Sequence, residues 1–330
     1  MSKVRWGLLS TANINRRLIP AIRASQRGEL AAVASRSQES ADAYAARWEI
    51  PQAFGDYQVM LDSGQVDAVY ISLPNHLHAE WTVKALHSGV HVLCEKPFAL
   101  TLDQVDAMIA AANETGRVLA EAFMYRHHPQ TKTAGDWVRS GRLGDVTLVR
   151  GVFNIRMSSR ENIRLMPDMG GGCLWDVGIY PLSFAQYILG GPPERVAGQQ
   201  WVGDSGVDEV FAGQMVYPGG RMAQITGSFR TPYYTSAEII GTEGRLILDS
   251  PFLIGVDGTS HSMVFHPADG TAGEVTVPRT DLYLGEVDDM HAAILDGAPN
   301  YLSLDETRNH VRTALALYRS AETGQTVAVQ

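Results

Sequence analysis

The chain reads as an α/β protein with two sheets of different kinds, and three observations predict it. Through residue 123, apolar strand-like runs alternate with segments of helical period, the rhythm of a doubly wound parallel sheet. After Gly144 that rhythm stops. Short alternating segments follow, too closely spaced for crossover helices, which favours an antiparallel sheet. A length of 330 residues with 45% hydrophobic and 19% charged side chains is enough for two globular cores. The boundary is placed between residues 124 and 125, giving an N-terminal domain over 1–124 and a C-terminal domain over 125–330.

The first strand, residues 4–9, runs into Ser10-Thr11-Ala12-Asn13-Ile14-Asn15, and Ile14, Leu18, Ile19 and Ile22 then mark one face of a helix. Strand, small-residue turn and helix is the layout of a dinucleotide-phosphate loop. Where G-x-G-x-x-G wants glycines this chain has Ser10, Ala12 and Asn15. Ser and Ala are small enough for close backbone approach, and Asn tolerates unusual dihedrals; an ordinary strand-to-helix connection would look similar. The second strand, 30–34, ends in Ser35-Arg36. An acidic residue there would bind a ribose 2′-hydroxyl, whereas an Arg suits a 2′-phosphate, so Arg36 favours NADP with NAD as the alternative. A helix is expected over 38–48.

The next strand, 67–73, closes in Pro74-Asn75-His76-Leu77-His78 and is followed by a helix that Gly89 ends. Residues 90–94 form a buried strand leading into Glu95-Lys96-Pro97. A charged Lys at the end of a buried strand is costly unless it has a partner or a task. In an open parallel sheet ligands gather beyond the carboxyl ends of the strands, which is where Lys96 falls. An ion pair with Glu95 is the plainer alternative. Thr101 caps the next helix, which ends near Gly116, and residues 117–123 make the last strand of this half.

In the second half, strands are expected over 146–155, 211–217, 221–229, 237–240, 245–248 and 263–266, with turns such as Pro218-Gly219-Gly220 between them. Helices return at 285–295 and 305–322. Earlier, Gly170-Gly171-Gly172 leads a helical stretch carrying Asp176 and Tyr180, four residues apart and so on one face.

A net charge of −9 argues against a nucleic-acid partner, because phosphate binding needs a basic face. The apolar runs fall short of a membrane span, and no secretory h-region precedes the first strand. Two cysteines, Cys94 and Cys173, fit free buried thiols in a reducing compartment, so a cytoplasmic location is the default. His127 and His128 are adjacent and would splay apart, so no metal site is expected.

Taken in order, L-L-S-T-A-N-I, S-R, L-P-N-H-L-H, C-E-K-P, E-A-F-M-Y-R-H-H-P and G-G-G-C-L-W-D-V-G-I-Y resemble the Gfo/Idh/MocA oxidoreductases over nearly the whole chain. The branch most resembled holds glucose–fructose oxidoreductase, D-xylose dehydrogenase and dimeric dihydrodiol dehydrogenase. The resemblance implies an NAD(P)-binding Rossmann domain, then an α/β domain with a large, mostly antiparallel open sheet that binds substrate and forms a homodimer or homotetramer. It implies that Lys96 is the catalytic lysine, with a cis bond to Pro97 as in many relatives. It places Ser10, Thr11, Ala12, Asn13 and Ile14 at the pyrophosphate, and Ser35 and Arg36 at the 2′-phosphate. Leu73, Pro74, Asn75, His78 and Glu95 would line the cofactor, and Arg164 would reach it from the C-terminal domain. Asp176 and Tyr180 fall at the substrate. Tyr180 stands where most of the family has His, and Ser183 where many relatives carry Asp, which disfavours a myo-inositol-dehydrogenase type of site.

The chemistry expected is hydride exchange between NADP and the carbinol of a small neutral sugar or polyol, of aldose 1-dehydrogenase type. Tyr180 would act as acid/base, helped by the Lys96 ammonium, with Asp176 on a second hydroxyl. Tyr125 and Arg126, just after the last strand of the first half, are expected either to touch substrate or to serve packing. Rival readings are a ketose or anhydro-ketose reductase, a trans-dihydrodiol dehydrogenase, a redox-assisted glycosidase, and, from another class, a non-catalytic NAD(P)-binding regulator.

Overall fold

The computed structural model describes residues 3–255 and 262–330. The chain divides into two compact units, Met1–Met124 with Tyr283–Arg308, and Tyr125–Leu282 with Asn309–Gln330.

The first unit holds strands β1 (Val4–Leu9), β2 (Gly28–Ala34), β3 (Gln52–Phe54), β4 (Ala68–Ile71), β5 (His91–Glu95) and β6 (Leu119–Ala122). They form one sheet in the order β3-β2-β1-β4-β5-β6, with every pair parallel. Between them run helices α1 (Asn15–Ala24), α2 (Gln38–Trp48), α3 (Tyr57–Asp62), α4 (His78–His87) and α5 (Leu102–Thr115). Local chemistry sets their ends. The Ser37 hydroxyl accepts from the Ser40 N–H at the start of α2, and Thr101 does the same for Gln104 at α5. Gly116, at φ 63°, takes the left-handed turn that stops α5. Central strands buried on both faces explain the unbroken apolar runs: all four residues of β4 are buried. Strand order reverses between β1 and β4, so the crevice beyond their carboxyl ends is the topological switch point of this sheet.

The second unit is built on nine strands: β7 (Val146–Arg156), β8 (Arg195–Val202), β9 (Asp208–Val216), β10 (Met222–Ser228), β11 (Arg230–Gly241), β12 (Gly244–Asp249), β13 (Met263–Pro267), β14 (Gly273–Val275) and β15 (Val327–Ala328). Their order is β14-β13-β12-β11-β7-β10-β9-β8-β15. Only β7 and β10 pair in parallel; the other neighbours are antiparallel. One face is covered. Helix α8 (Ile179–Leu189) lies along β7, and a π-helical turn, Leu174–Gly178, precedes it and packs on β10. The approach is close: a Cβ at Gly227 would stand 3.1 Å from the Gly178 nitrogen. The other face carries exposed apolar side chains, among them Trp201, Met222 and Tyr234. The remaining helices are α6 (Met124–His127), α7 (Pro129–Arg139), α9 (Leu284–Asp296) and α10 (Leu304–Thr323).

The parallel sheet and the mostly antiparallel one stand as the sequence predicts. One assignment is corrected. The stretch 283–308, placed by sequence with the C-terminal domain, belongs to the first unit. Long-range bonds that no local pattern shows hold it there. The Trp6 indole donates to His291 Nε2 at 2.8 Å, Ser25 donates to Asp288 at 2.7 Å, and Arg27 pairs with Asp296 at 2.7 Å. Strand β8 and the short β3, β14 and β15 were not anticipated either; the short ones owe their pairing to a neighbour rather than to a pattern of their own.

Candidate functional site

The first group of site residues lies along the carboxyl edge of the parallel sheet. The β1–α1 turn is closed by side chains in place of glycines. Ser10 stands at φ 126°, backbone territory that favours glycine. Its hydroxyl pairs with that of Ser72 at 2.8 Å and accepts from the Ala12 N–H at 3.1 Å. Asn15, fully buried, donates to the Ser10 carbonyl at 2.8 Å and accepts from Ser72 Oγ at 2.7 Å. Ser10, Asn15 and Ser72 thus tie the turn after β1 to the end of β4, across the switch point. Thr11, Ala12 and Ile14 are partly exposed and Asn13 is exposed. No side chain caps the start of α1, and its first turn holds no acidic residue. That end keeps the positive dipole character suited to a pyrophosphate. At the end of β2, Ser35 is buried and its N–H bonds to the Phe54 carbonyl, while Arg36 is exposed. These residues fit a nicotinamide dinucleotide: a compact turn and a helix N-terminus for the pyrophosphate, and an accessible guanidinium beyond.

Lys96 stands beyond β5, and its peptide bond to Pro97 is cis. Neighbours hold the turn from several sides. The Glu95 carboxylate accepts from the buried Tyr70 hydroxyl and, at 3.1 Å, from the Lys96 N–H. The buried Glu121 of β6 accepts from the Phe98 N–H at 3.2 Å. Burial, and then the Glu95 charge, push the Tyr70 phenol well above its usual range, so it remains a donor.

His78, expected beside the cofactor, is buried. Its ring is 1% exposed, with Nδ1 2.8 Å from the Pro97 carbonyl oxygen and Nε2 2.8 Å from that of Leu73. The ring is turned inward, between the backbone of the Leu73 and Pro97 turns. Leu73 is likewise buried, while Pro74 and Asn75 are partly exposed beside it.

The second group lies in the second unit. Asp176 belongs to the π-helical turn and Tyr180 to the first turn of α8, not to one uniform helix as expected. Such π turns recur at functional sites. The turn is shaped from below by Asp208, whose carboxylate accepts from the Leu174 N–H at 2.8 Å, from Cys173 Sγ at 3.1 Å and from the Tyr318 hydroxyl at 2.8 Å. Burial raises the Asp208 pKa and these three bonds oppose the rise. Gly172, at φ 131°, admits no side chain: a Cβ would sit 2.2 Å from Asp208 Oδ1. Arg164 Nε donates to Asp176 Oδ2 at 2.8 Å. One ion pair therefore couples the residue expected at the cofactor to the one expected at the substrate.

The Tyr180 ring is buried among Tyr125, Phe153 and Phe252, with centroids 5.8, 5.2 and 5.8 Å away. Ser183 donates to the Tyr180 carbonyl at 3.2 Å and pairs with the Tyr125 hydroxyl. Tyr125 and Arg126, expected either to touch substrate or to serve packing, are both buried. Tyr125 is 0% and Arg126 1% exposed, and the Arg126 guanidinium lies 4.1 Å over the Tyr187 ring. The short α6 follows directly on β6, and both side chains lie in the interior.

Sequence reasoning missed Tyr70, Ser72, Glu121 and Asp208. A carboxylate inside an apolar strand, as in Leu119-Ala120-Glu121-Ala122, is a usable signal. Asp208 carries none, because its partners lie far along the chain. Among the described residues no group of three or more His, Cys, Asp or Glu could hold a metal ion, and no helix is long and apolar enough to cross a membrane. Cys94 and Cys173 are both free and buried.

Residues 4–123 match the oxidoreductase family with an NAD-binding Rossmann fold, and residues 131–247 match the GFO/IDH/MocA C-terminal domain. The chain is 39% identical over 324 residues to a D-xylose 1-dehydrogenase (NADP(+)) of Haloferax volcanii, covering 98% of each chain. Among solved structures it superposes on aldose-aldose oxidoreductase of Caulobacter crescentus, complexed with glycerol, with a TM-score of 0.90, 27% identity and 99% of each chain covered. It also superposes on a 3-ketoreductase of Actinomadura kijaniata in complex with NADP and TDP-benzene, with a TM-score of 0.89 and 29% identity over 97% of this chain and 98% of that one. The chain belongs to the Gfo/Idh/MocA family and is an oxidoreductase that uses a nicotinamide dinucleotide.

Proposed function

We propose that this oxidoreductase moves a hydride between NADP and the carbinol of a neutral sugar or polyol, as an aldose 1-dehydrogenase acting on D-xylose or D-glucose. The observation that carries the reading is the Lys96 turn. It projects beyond β5, adjacent in the sheet to the β4 end that carries Ser72 and Leu73, and buried side chains hold it. A lysine held at that edge is placed to meet a ligand.

When bound, the dinucleotide takes up or gives the hydride at its nicotinamide. The protein handles the proton. An alcohol that loses a hydride must also lose its hydroxyl proton, and Tyr180 receives it. A free phenol, with a pKa near 10, is a poor base at neutral pH. In this reading the Lys96 ammonium favours the phenolate and holds the substrate oxygen. Asp176, through the pair it makes with Arg164, orients a second hydroxyl. Ser10 to Ile14 carry the pyrophosphate, Pro74 and Asn75 line the nucleotide beyond, and Arg36 with Ser35 takes the 2′-phosphate. The first unit serves as the cofactor domain. The second serves the substrate and, through the exposed face with Trp201, Met222 and Tyr234, a homodimer or homotetramer. Two buried free thiols suit a reducing compartment such as the cytoplasm.

Two substitutions test the assignment in a panel of D-xylose, D-glucose, 1,5-anhydro-D-fructose and a trans-dihydrodiol, followed by nicotinamide absorbance. Tyr180→Phe is expected to lower kcat by about 10²–10⁴ while NADP binding is kept. Near-normal turnover would remove Tyr180 from the chemistry. Arg36→Ala is expected to weaken NADPH binding by about 1.5–3 kcal/mol, the worth of charge-assisted hydrogen bonds, and NADH binding hardly at all. Equal losses for both cofactors would refute the 2′-phosphate role.

A further inference from the structure

Where a dinucleotide turn carries glycines, this chain closes a ring of hydrogen bonds whose direction is fixed at every step. The Ser10 carbonyl only accepts, so the Asn15 atom 2.8 Å from it is the amide nitrogen. The Asn15 amide oxygen therefore faces Ser72 Oγ at 2.7 Å, and Ser72 gives its one hydroxyl hydrogen there. At the 2.8 Å contact between the two hydroxyls, Ser10 is then the donor. Ser10 Oγ in turn accepts from the Ala12 N–H at 3.1 Å. The ring runs from the Ala12 N–H through Ser10 and Ser72 to Asn15, and back to the Ser10 carbonyl.

Ser10 holds φ 126°, a backbone angle costly for a residue other than glycine, and the ring grips it at both hydroxyl and carbonyl. The Ala12 N–H is turned back into the ring. Among the described residues the Thr11, Asn13 and Ile14 N–H groups have no hydrogen-bond partner.

We infer that Asn15 is a positioning residue for the dinucleotide. By holding Ser10 in a glycine conformation it selects the N–H groups of Thr11, Asn13 and Ile14 as donors to the pyrophosphate and withholds that of Ala12. Asn15 is fully buried, so it acts through the turn and not by contact. The role rests on the reading of residues 10–14 as the pyrophosphate turn, and the test keeps the two apart.

Asn15→Ala opens the ring and leaves Ser10 strained. It is expected to raise the NADPH dissociation constant and the KM for NADP⁺ about tenfold, with kcat at saturating NADP⁺ within about twofold of normal. Ser10→Gly in the Asn15→Ala chain lets residue 10 hold its angle unaided, so most of that affinity is expected to return. A residue that merely fills the core would lower the melting temperature and show no such rescue. If Asn15→Ala does not fold, Ser72→Ala opens the same ring, with a loss of about three- to tenfold and the same rescue. Hydrogen–deuterium exchange read by mass spectrometry gives a measure independent of the cofactor. The Ala12 amide is expected to exchange about tenfold faster in Asn15→Ala than in the unaltered chain. Unchanged NADPH affinity in Asn15→Ala, or a loss that Ser10→Gly does not return, would overturn the inference. Ala12→Asp sets a carboxylate on the turn and should abolish NADPH binding. Normal affinity there would instead sink the reading of the turn as the pyrophosphate site, while exchange at Ala12 still reports whether Asn15 holds Ser10.

Discussion

Lys96 in the first unit and Tyr180 in the second are held by different means. Lys96 rides on a turn at a strand end, and its supports, Tyr70, His78 and Glu121, come from β4, α4 and β6, elements that neighbour β5 in the sheet or in sequence. Tyr180 and Asp176 ride on helical turns fixed by a buried carboxylate from β9 and a tyrosine from α10. In the first unit the sheet itself brings the supports together, because parallel strands in register end at one edge. In the second, a π turn fits only because Gly172 has no side chain and Asp208 fills the space beneath it. A site on a strand-end edge is therefore spread over many modest bonds, and one on an irregular helix start depends on a few positions that tolerate no change.

Three measurements put that contrast at risk. The largest effect is expected at Gly172. Alanine there combines a positive φ with overlap on Asp208, and the loss should be about 3 kcal/mol in unfolding free energy, read from urea titration. A loss below about 1 kcal/mol would show that the π turn relaxes freely and that the contrast is false.

A smaller effect belongs to His91 at the start of β5. Its Nδ1 accepts from the Val118 N–H at 2.8 Å, and burial, with Arg117 adding to it, pulls its pKa down to about 4. The folded pKa lies below the unfolded one, so the unfolded chain takes up a proton first as pH falls. The contribution is complete above the unfolded value, near pH 6.5, and fades as pH drops towards about 4. The ring is partly exposed, so about 1–2 kcal/mol is expected to be lost over that range. His91→Asn should flatten the profile, because its amide oxygen accepts without titrating; an unchanged profile would remove His91 from the linkage.

The smallest effect is expected at Ser10. Glycine relieves the positive φ but forfeits the bonds to Ser72 and Ala12, and alanine forfeits the bonds and keeps the strain. Ser10→Gly should therefore cost less than Ser10→Ala by about 1 kcal/mol. The reverse order would mean that the backbone angle at Ser10 carries no strain, since both variants lack the hydroxyl.

Much of the first unit was legible because its cues are local. The end of β1 in Ser10, the end of β2 in Ser35-Arg36 and the end of β5 in Glu95-Lys96 each follow an apolar run directly. The departures were also visible: Asn15 at a glycine position turned out to be a buried bridge, and Ser183 in place of an acid turned out to hold Tyr125. Tyr125 and Arg126 look like a cleft rim in the sequence, as a polar cluster after a strand does, yet both are buried. Their cores are supplied by Phe252 and Tyr187, far along the chain. Nothing in L-P-N-H-L-H shows that the His78 ring is buried between two backbone carbonyls.

By itself the sequence determined the two kinds of sheet and the order of the strand-end turns. Those follow from periodicity and residue chemistry within a few positions. Only the tertiary structure decided that 283–308 joins the first unit, that Asp208 underlies the π turn and that the His78 ring lies between two turns. Each depends on bonds between residues distant in the chain, and the free energy of such a bond is realised only once the rest of the fold has paid the entropy of bringing its ends together.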